Sequence, residues 1–176
     1  MQRSSRTIGA MVRTWTAATL TAVSVISLSP VALAGSNGTD RPIAGTCDTV
    51  VTPLNPGSNL AYLRIDLTCH LRHLGLTTGT ALQVVNPAGP PVGPVLPVVI
   101  STDITYIAAN GDMLHSKFVG TGTINFATGT AMFEGEETYH GGTGRFEHAT
   151  GSSFAEGDAS LSDNTGFFTI IGVISY

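Results

Sequence analysis

Glu137 is the residue of this 176-residue chain best placed to move a proton. In the segment 130–140, alternate residues put Ala131, Phe133, Gly135, Glu137 and Tyr139 on one face of an extended strand. Met132, Glu134, Glu136, Thr138 and His140 fall on the other. If Phe133 and Tyr139 point into a core, Glu137 goes with them. A carboxyl held among apolar side chains has its pKa raised and can act as a general acid or base. The alternatives are a hydrated Glu137 near a barrel mouth, or a bulge that reverses the parity. Tyr106 shares the apolar parity of its own segment with Ile100 and Ile104, and its hydroxyl could orient a ligand. The competing reading is a core aromatic with its hydroxyl bonded near the rim. Tyr106, Phe133, Glu137 and Tyr139 are therefore the candidate ligand-binding residues, and Glu137 and Tyr106 the candidate catalytic pair.

Other chemistries find less support. His70 and His73 are three apart, which places them on opposite faces of a strand. His140 and His148 flank a glycine-rich turn, but no carboxylate is placed with them, so no metal site is expected. No nucleophile elbow, phosphate loop or dinucleotide fingerprint occurs, and no cofactor is expected.

The elements that must position these residues are strands. No stretch carries a 3.6-residue period, whereas alternation of period two is clear. From Ala61 to Leu71 the odd positions read Ala, Leu, Ile, Leu, Cys, Leu and the even ones Tyr, Arg, Asp, Thr, His. One face is apolar and the other polar, as in a sheet with one side buried. Eight strands are predicted, at about 43–52, 60–73, 77–85, 98–109, 112–124, 130–140, 151–161 and 166–175. Asn110-Gly111 predicts a type I′ hairpin. Asn86 to Pro97 holds five prolines and two glycines. It predicts a long, stiff, partly polyproline loop over one mouth, a candidate lid. Arg145, inside the glycine-rich turn, predicts a surface or turn-stabilising contact. Eight mainly antiparallel strands fit a closed barrel or a two-sheet sandwich; a barrel removes exposed edges and leaves an interior for side chains or one small ligand.

The N-terminal 34 residues read as a secretory signal peptide. Arg3, Arg6 and Arg13 precede a mildly apolar stretch, and Ala32-Leu33-Ala34 is a small-x-small cleavage pattern. That stretch is shorter than the roughly 20 residues of a membrane span. Residues 35–41 are expected to form a flexible segment and 42–176 the barrel. The chain from Gly35 has five basic residues against twelve acidic ones, a formal charge of −7. Such a surface repels nucleic acid and anionic membranes. After export, a Cys47–Cys69 disulfide is expected. A turn centred on Pro56-Gly57-Ser58-Asn59 makes the two cysteines face each other across a hairpin.

Gly141-Gly142-Thr143-Gly144-Arg145-Phe146, continuing to Ala149 and Gly151, resembles the G-G-x-G-x-F-x-x-A-x-G signature of the allene oxide cyclase and dirigent β-barrel superfamily. With Tyr106 to Asp112 and His73-Leu74-Gly75, the chain is similar to exported bacterial members of unknown function. The resemblance implies an eight-stranded, mainly antiparallel β-barrel with a small, largely apolar molecule inside. It also implies, as an alternative, a cofactor-free isomerase or cyclase. Gly141, Gly142, Gly144, Phe146, Ala149 and Gly151 are the matching positions, and they are backbone and packing residues. Glu147 and Thr150 stand where dirigent proteins typically carry arginine, which argues against dirigent activity. Three readings follow: a secreted barrel that binds a small apolar molecule, a cofactor-free isomerase or cyclase, and a solid structural or interaction barrel. Oligomeric state is not legible.

Overall fold

The computed structural model describes residues 39–55 and 61–176. The expected signal peptide, its cleavage point and the Pro56–Asn59 turn lie outside the described residues. Eight strands follow one another: β1 (Asp40–Pro53), β2 (Ala61–Leu71), β3 (Gly75–Pro87), β4 (Val95–Ile107), β5 (Met113–Asn125), β6 (Thr130–Gly142), β7 (Thr150–Ser160) and β8 (Thr165–Ser175). Each pairs antiparallel with the next, and β8 returns to β1, so the sheet closes into a barrel in sequence order. Every predicted strand forms, with ends displaced by a few residues. β1 starts at Asp40, so Asp40 and Arg41 belong to the sheet rather than to a flexible segment.

The period-two pattern dictates which way each side chain faces. On β2, Leu67, Cys69 and Leu71 are buried while Arg64, Thr68 and His70 are exposed. On β4 the interior set is Val98, Ile100, Thr102, Ile104 and Tyr106; on β8 it is Phe168, Ile170 and Ile174. Closure turns all these faces inward, and the apolar core lies inside the barrel. Cys47 and Cys69 are paired across β1 and β2 and joined by a disulfide.

Two connections depart from the sequence reading. At Asn110-Gly111 the Gly111 N–H donates to the Ala108 carbonyl, and the Ala108 N–H to that of Asp112. Gly111 has φ +89° while Asn110 is not left-handed. This is a type I turn closed by a left-handed glycine, a three-residue loop rather than a type I′ turn. The proline-rich segment is also not a lid. β3 runs on to Pro87 and β4 begins at Val95, leaving a narrow hairpin end in which Ala88 donates to Pro97 and Val92 pairs with Val95. Pro97 accepts from Ala88 but has no N–H to return the reciprocal bond, which fits its place where the β3–β4 ladder ends. The hairpin end bonds to the β5–β6 turn through the Phe126 N–H and the Pro94 carbonyl.

The glycine-rich run closes the opposite end. Gly144 has φ +55°, and a Cβ there would overlap the Asp112 carboxylate. That carboxylate accepts from the Arg145 N–H at 3.2 Å and from Asn110 Nδ2 at 2.7 Å. Arg145 donates to the His73 carbonyl at 3.1 Å and lies over the Phe146 ring. Phe146 and Ala149 are buried, and Phe146 meets Tyr176 edge-on. The motif thus plugs the barrel base.

Candidate functional site

The interior divides by depth. Toward the base, Tyr106, Leu114, Phe146 and Ile174 are fully buried. Toward the other end lies a cavity of about 150 Å³, walled mainly by aliphatic and aromatic side chains, among them Leu63, Ile65, Val98, Ile100, Phe118 and Phe168. Glycines at inward positions make room for its rings: a Cβ at Gly120 or Gly135 would strike Phe118, and one at Gly157 would strike Phe168. Phe133 packs edge-on against both Phe118 and Phe168. None of residues 86–97 lines the cavity, so the proline-rich hairpin does not roof it.

Glu137 stands in the deepest layer of the wall and is 1% exposed. The one-residue register shift between β5 and β6 falls beyond Tyr139, so the parity that turns Glu137 inward is intact. Two serines reach its carboxyl from the flanking strands. Ser116 Oγ on β5 donates to Oε1 at 2.5 Å, and Ser153 Oγ on β7 to Oε2 at 3.4 Å. Tyr139 donates in turn to Ser153 at 2.9 Å. Burial pushes the Glu137 carboxyl up from its ordinary range, and the hydroxyl contacts oppose that rise only in part. The Tyr106 hydroxyl is close enough to feel the carboxyl charge, but it lies outside hydrogen-bond geometry and has no partner among the described residues. Burial first, and the nearby carboxyl second, raise both Tyr106 and Tyr139, so each phenol keeps its proton. In its protonated form such a carboxyl can donate one proton and accept one hydrogen bond.

Of the four candidate residues, Phe133 and Glu137 line the cavity, whereas Tyr106 and Tyr139 lie beneath it in packed core. Ser116 and Ser153 escaped the sequence reading. Their signal was a hydroxyl on the apolar parity of a strand, which short polar side chains often occupy without consequence. Gln83 and Thr102 form a second polar spot on the wall, with Thr102 donating to Gln83 at 3.2 Å, and Thr49, Thr123, Ser160 and Asn164 add polar groups nearer the mouth. His115, also missed, stacks on His140 at 6.4 Å and contacts Thr105 at 3.1 Å on the outer wall. Among the described residues, no three His, Cys, Asp or Glu side chains come together as a metal site. A larger groove crosses the outside of β5–β8 past Met132, Glu134 and Glu156, but it is open to solvent and remote from the buried carboxyl.

No family model and no curated protein matches this chain. Among solved structures it is similar to that of a pterocarpan synthase dirigent protein, at 13% identity and a TM-score of 0.43, over 81% of this chain and 88% of that one.

Proposed function

We propose that the barrel binds one small, largely apolar, uncharged molecule in the cavity above Glu137, and that it does so as an exported protein. The observation that carries this reading is the mainly apolar cavity, open at one end of the barrel, with a single buried carboxyl in its deepest layer. A mainly apolar cavity of this size accommodates a benzene-sized ring. Burial raises the pKa of that carboxyl and so disfavours its charged form, which makes it a poor anchor for a cation. The Cys47–Cys69 bond fits an oxidising compartment, and the N-terminal pattern of residues 1–34 fits an export signal. The similarity of the Gly141–Gly151 run to exported barrel proteins agrees with that reading.

The test is titration with toluene, read by chemical-shift changes in the Ile100, Ile104 and Val98 methyl groups. Saturable shifts confined to the cavity are expected, and Ala131→Phe, which fills the wall near the mouth, should abolish them. A wild-type protein that shows no saturable shift refutes the reading and favours a solid scaffold. Native mass spectrometry of protein secreted by its own host then identifies the natural occupant.

A second reading draws on the hydroxyls gathered at Glu137. Two serines contact the carboxyl, and two protonated tyrosines lie below it. That arrangement suits a cofactor-free isomerase or cyclase with Glu137 as the general acid and Tyr106 in support. Glu137→Gln should then keep the ligand bound and stop its conversion. Conversion at the wild-type rate would remove Glu137 from any such role.

A further inference from the structure

In a barrel closed in sequence order, the β1–β2, β3–β4, β5–β6 and β7–β8 connections share one end, and it is the end where the cavity opens. Each of these connections carries an exposed large apolar side chain: Leu54, Val92, Phe126 and Leu161. Val92 is 76% exposed and Phe126 62%. Leu161 also lines the cavity with Asn164, so the apolar tips surround the opening. Single exposed apolar residues are ordinary; one on every connection around a mouth forms a pattern.

Charge is distributed in the opposite sense. Across residues 54–60, 88–94, 126–129 and 161–164 the sole charged residue is Asp163. Leaving that end along the strands, the first charges met are Asp48, Arg64, Asp103, Lys117, Glu134 and Asp158, and β3 and β8 carry none. The three connections at the base hold Arg72, Asp112, Arg145 and Glu147, with His73 and His148. The mouth end is therefore apolar at its tips, with its nearest strand charges at Asp158, Arg64 and Glu134 a few residues behind them, while the connections at the base are themselves charged.

We propose that the mouth end docks on an uncharged or zwitterionic lipid surface, with Leu54, Val92, Phe126 and Leu161 entering the headgroup–acyl boundary and the cavity opening toward it. Four side chains on separate loops around an opening make no continuous face for a rigid protein partner. Fluid acyl chains close over such a rim without leaving a void. Charge complementarity decides the lipid class: the rim has one acid and no base, so nothing in it attracts anionic headgroups. Docking is interfacial. The outer wall mixes exposed Glu134, Glu136 and Glu156 with exposed apolar residues such as Met132, Phe154 and Ile171, so it lacks the uninterrupted apolar band of a membrane-spanning barrel. The purpose of docking rests on the cavity reading above, because an apolar occupant partitions into lipid. The docking itself has its own readout.

The experiment is co-sedimentation of the chain from Gly35 onward with phosphatidylcholine vesicles and with vesicles containing phosphatidylglycerol. Binding to pure phosphatidylcholine is expected, with no gain from the anionic lipid. Val92→Asp combined with Phe126→Asp should lower the partition coefficient at least tenfold while melting temperature and toluene titration stay unchanged. Ile171→Asp, at an exposed apolar site on the wall away from the mouth, should leave vesicle binding intact. No binding to phosphatidylcholine, binding that requires anionic lipid, or equal losses for the wall and rim variants would overturn the proposal. So would lipid-free self-association that the rim substitutions abolish, since a second copy would then occupy the surface. Loss of toluene binding with vesicle binding retained sinks the cavity reading alone; the converse sinks docking alone.

Discussion

Replacing Glu137 by glutamine isolates the buried carboxyl. Burial is the main cause of its raised pKa, and the Ser116 contact is the main opposing one. The folded pKa therefore stands above the unfolded value of about 4.3. Between those two values the folded state holds a proton that the unfolded state has released. Stability is fully present below the unfolded pKa, falls as pH rises through the window, and flattens above the folded pKa. One proton sets a limiting slope of about 1.4 kcal/mol per pH unit. For a domain of this size that moves the melting temperature by about 3–5 °C per unit. Glu137→Gln keeps an acceptor for Ser116 and cannot ionise, so the difference between the wild-type and variant curves carries that slope and cancels every other titration. The variant should be the more stable protein on the alkaline side. Glu136→Gln, one residue along on the exposed wall, should follow wild type. The assay is calorimetric melting between about pH 4 and about pH 9. Wild-type and Glu137→Gln curves that run parallel over that range would put the carboxyl in water and refute the argument.

Gly144→Val should destabilise by about 3 kcal/mol or more, because a β-branched residue at left-handed φ is costly and its Cβ displaces the Asp112 carboxylate from its hydrogen bonds. Arg145→Ala, which loses the His73 contact, should cost about 1 kcal/mol; an equal or greater loss for Arg145→Ala in thermal melts would contradict this ordering. Replacing Cys47 and Cys69 together by serine should lower stability by about 3 kcal/mol in denaturant unfolding, from the loop the bond closes. Intact mass of the secreted protein should correspond to a chain starting at Gly35 and two hydrogens lighter than the reduced form; two free thiols would refute the bond.

Local pattern was enough for much of this molecule. The alternation from Ala61 to Leu71 specified a strand with one buried side, and its repetition specified eight of them. The turn position placed Cys47 opposite Cys69. Parity alone put Glu137 on the same face as Phe133 and Tyr139, because side chains alternate every two residues whatever the neighbouring strands do. Parity does not report depth. Phe133 and Glu137 reach a cavity while Tyr139 lies in packed core, and that division depends on how eight strands are staggered in closing. The serines at the carboxyl come from β5 and β7, so they meet only through the registers of two strand pairs. Likewise, the proline-rich segment had the composition of a loop, but β3 and β4 pair far enough to make it a hairpin end. The type I turn at Asn110-Gly111 follows from the Ala108–Asp112 pairing rather than from the dipeptide. Which way a side chain faces is set by its own strand; what it meets there, and how deep, is set by the closed sheet.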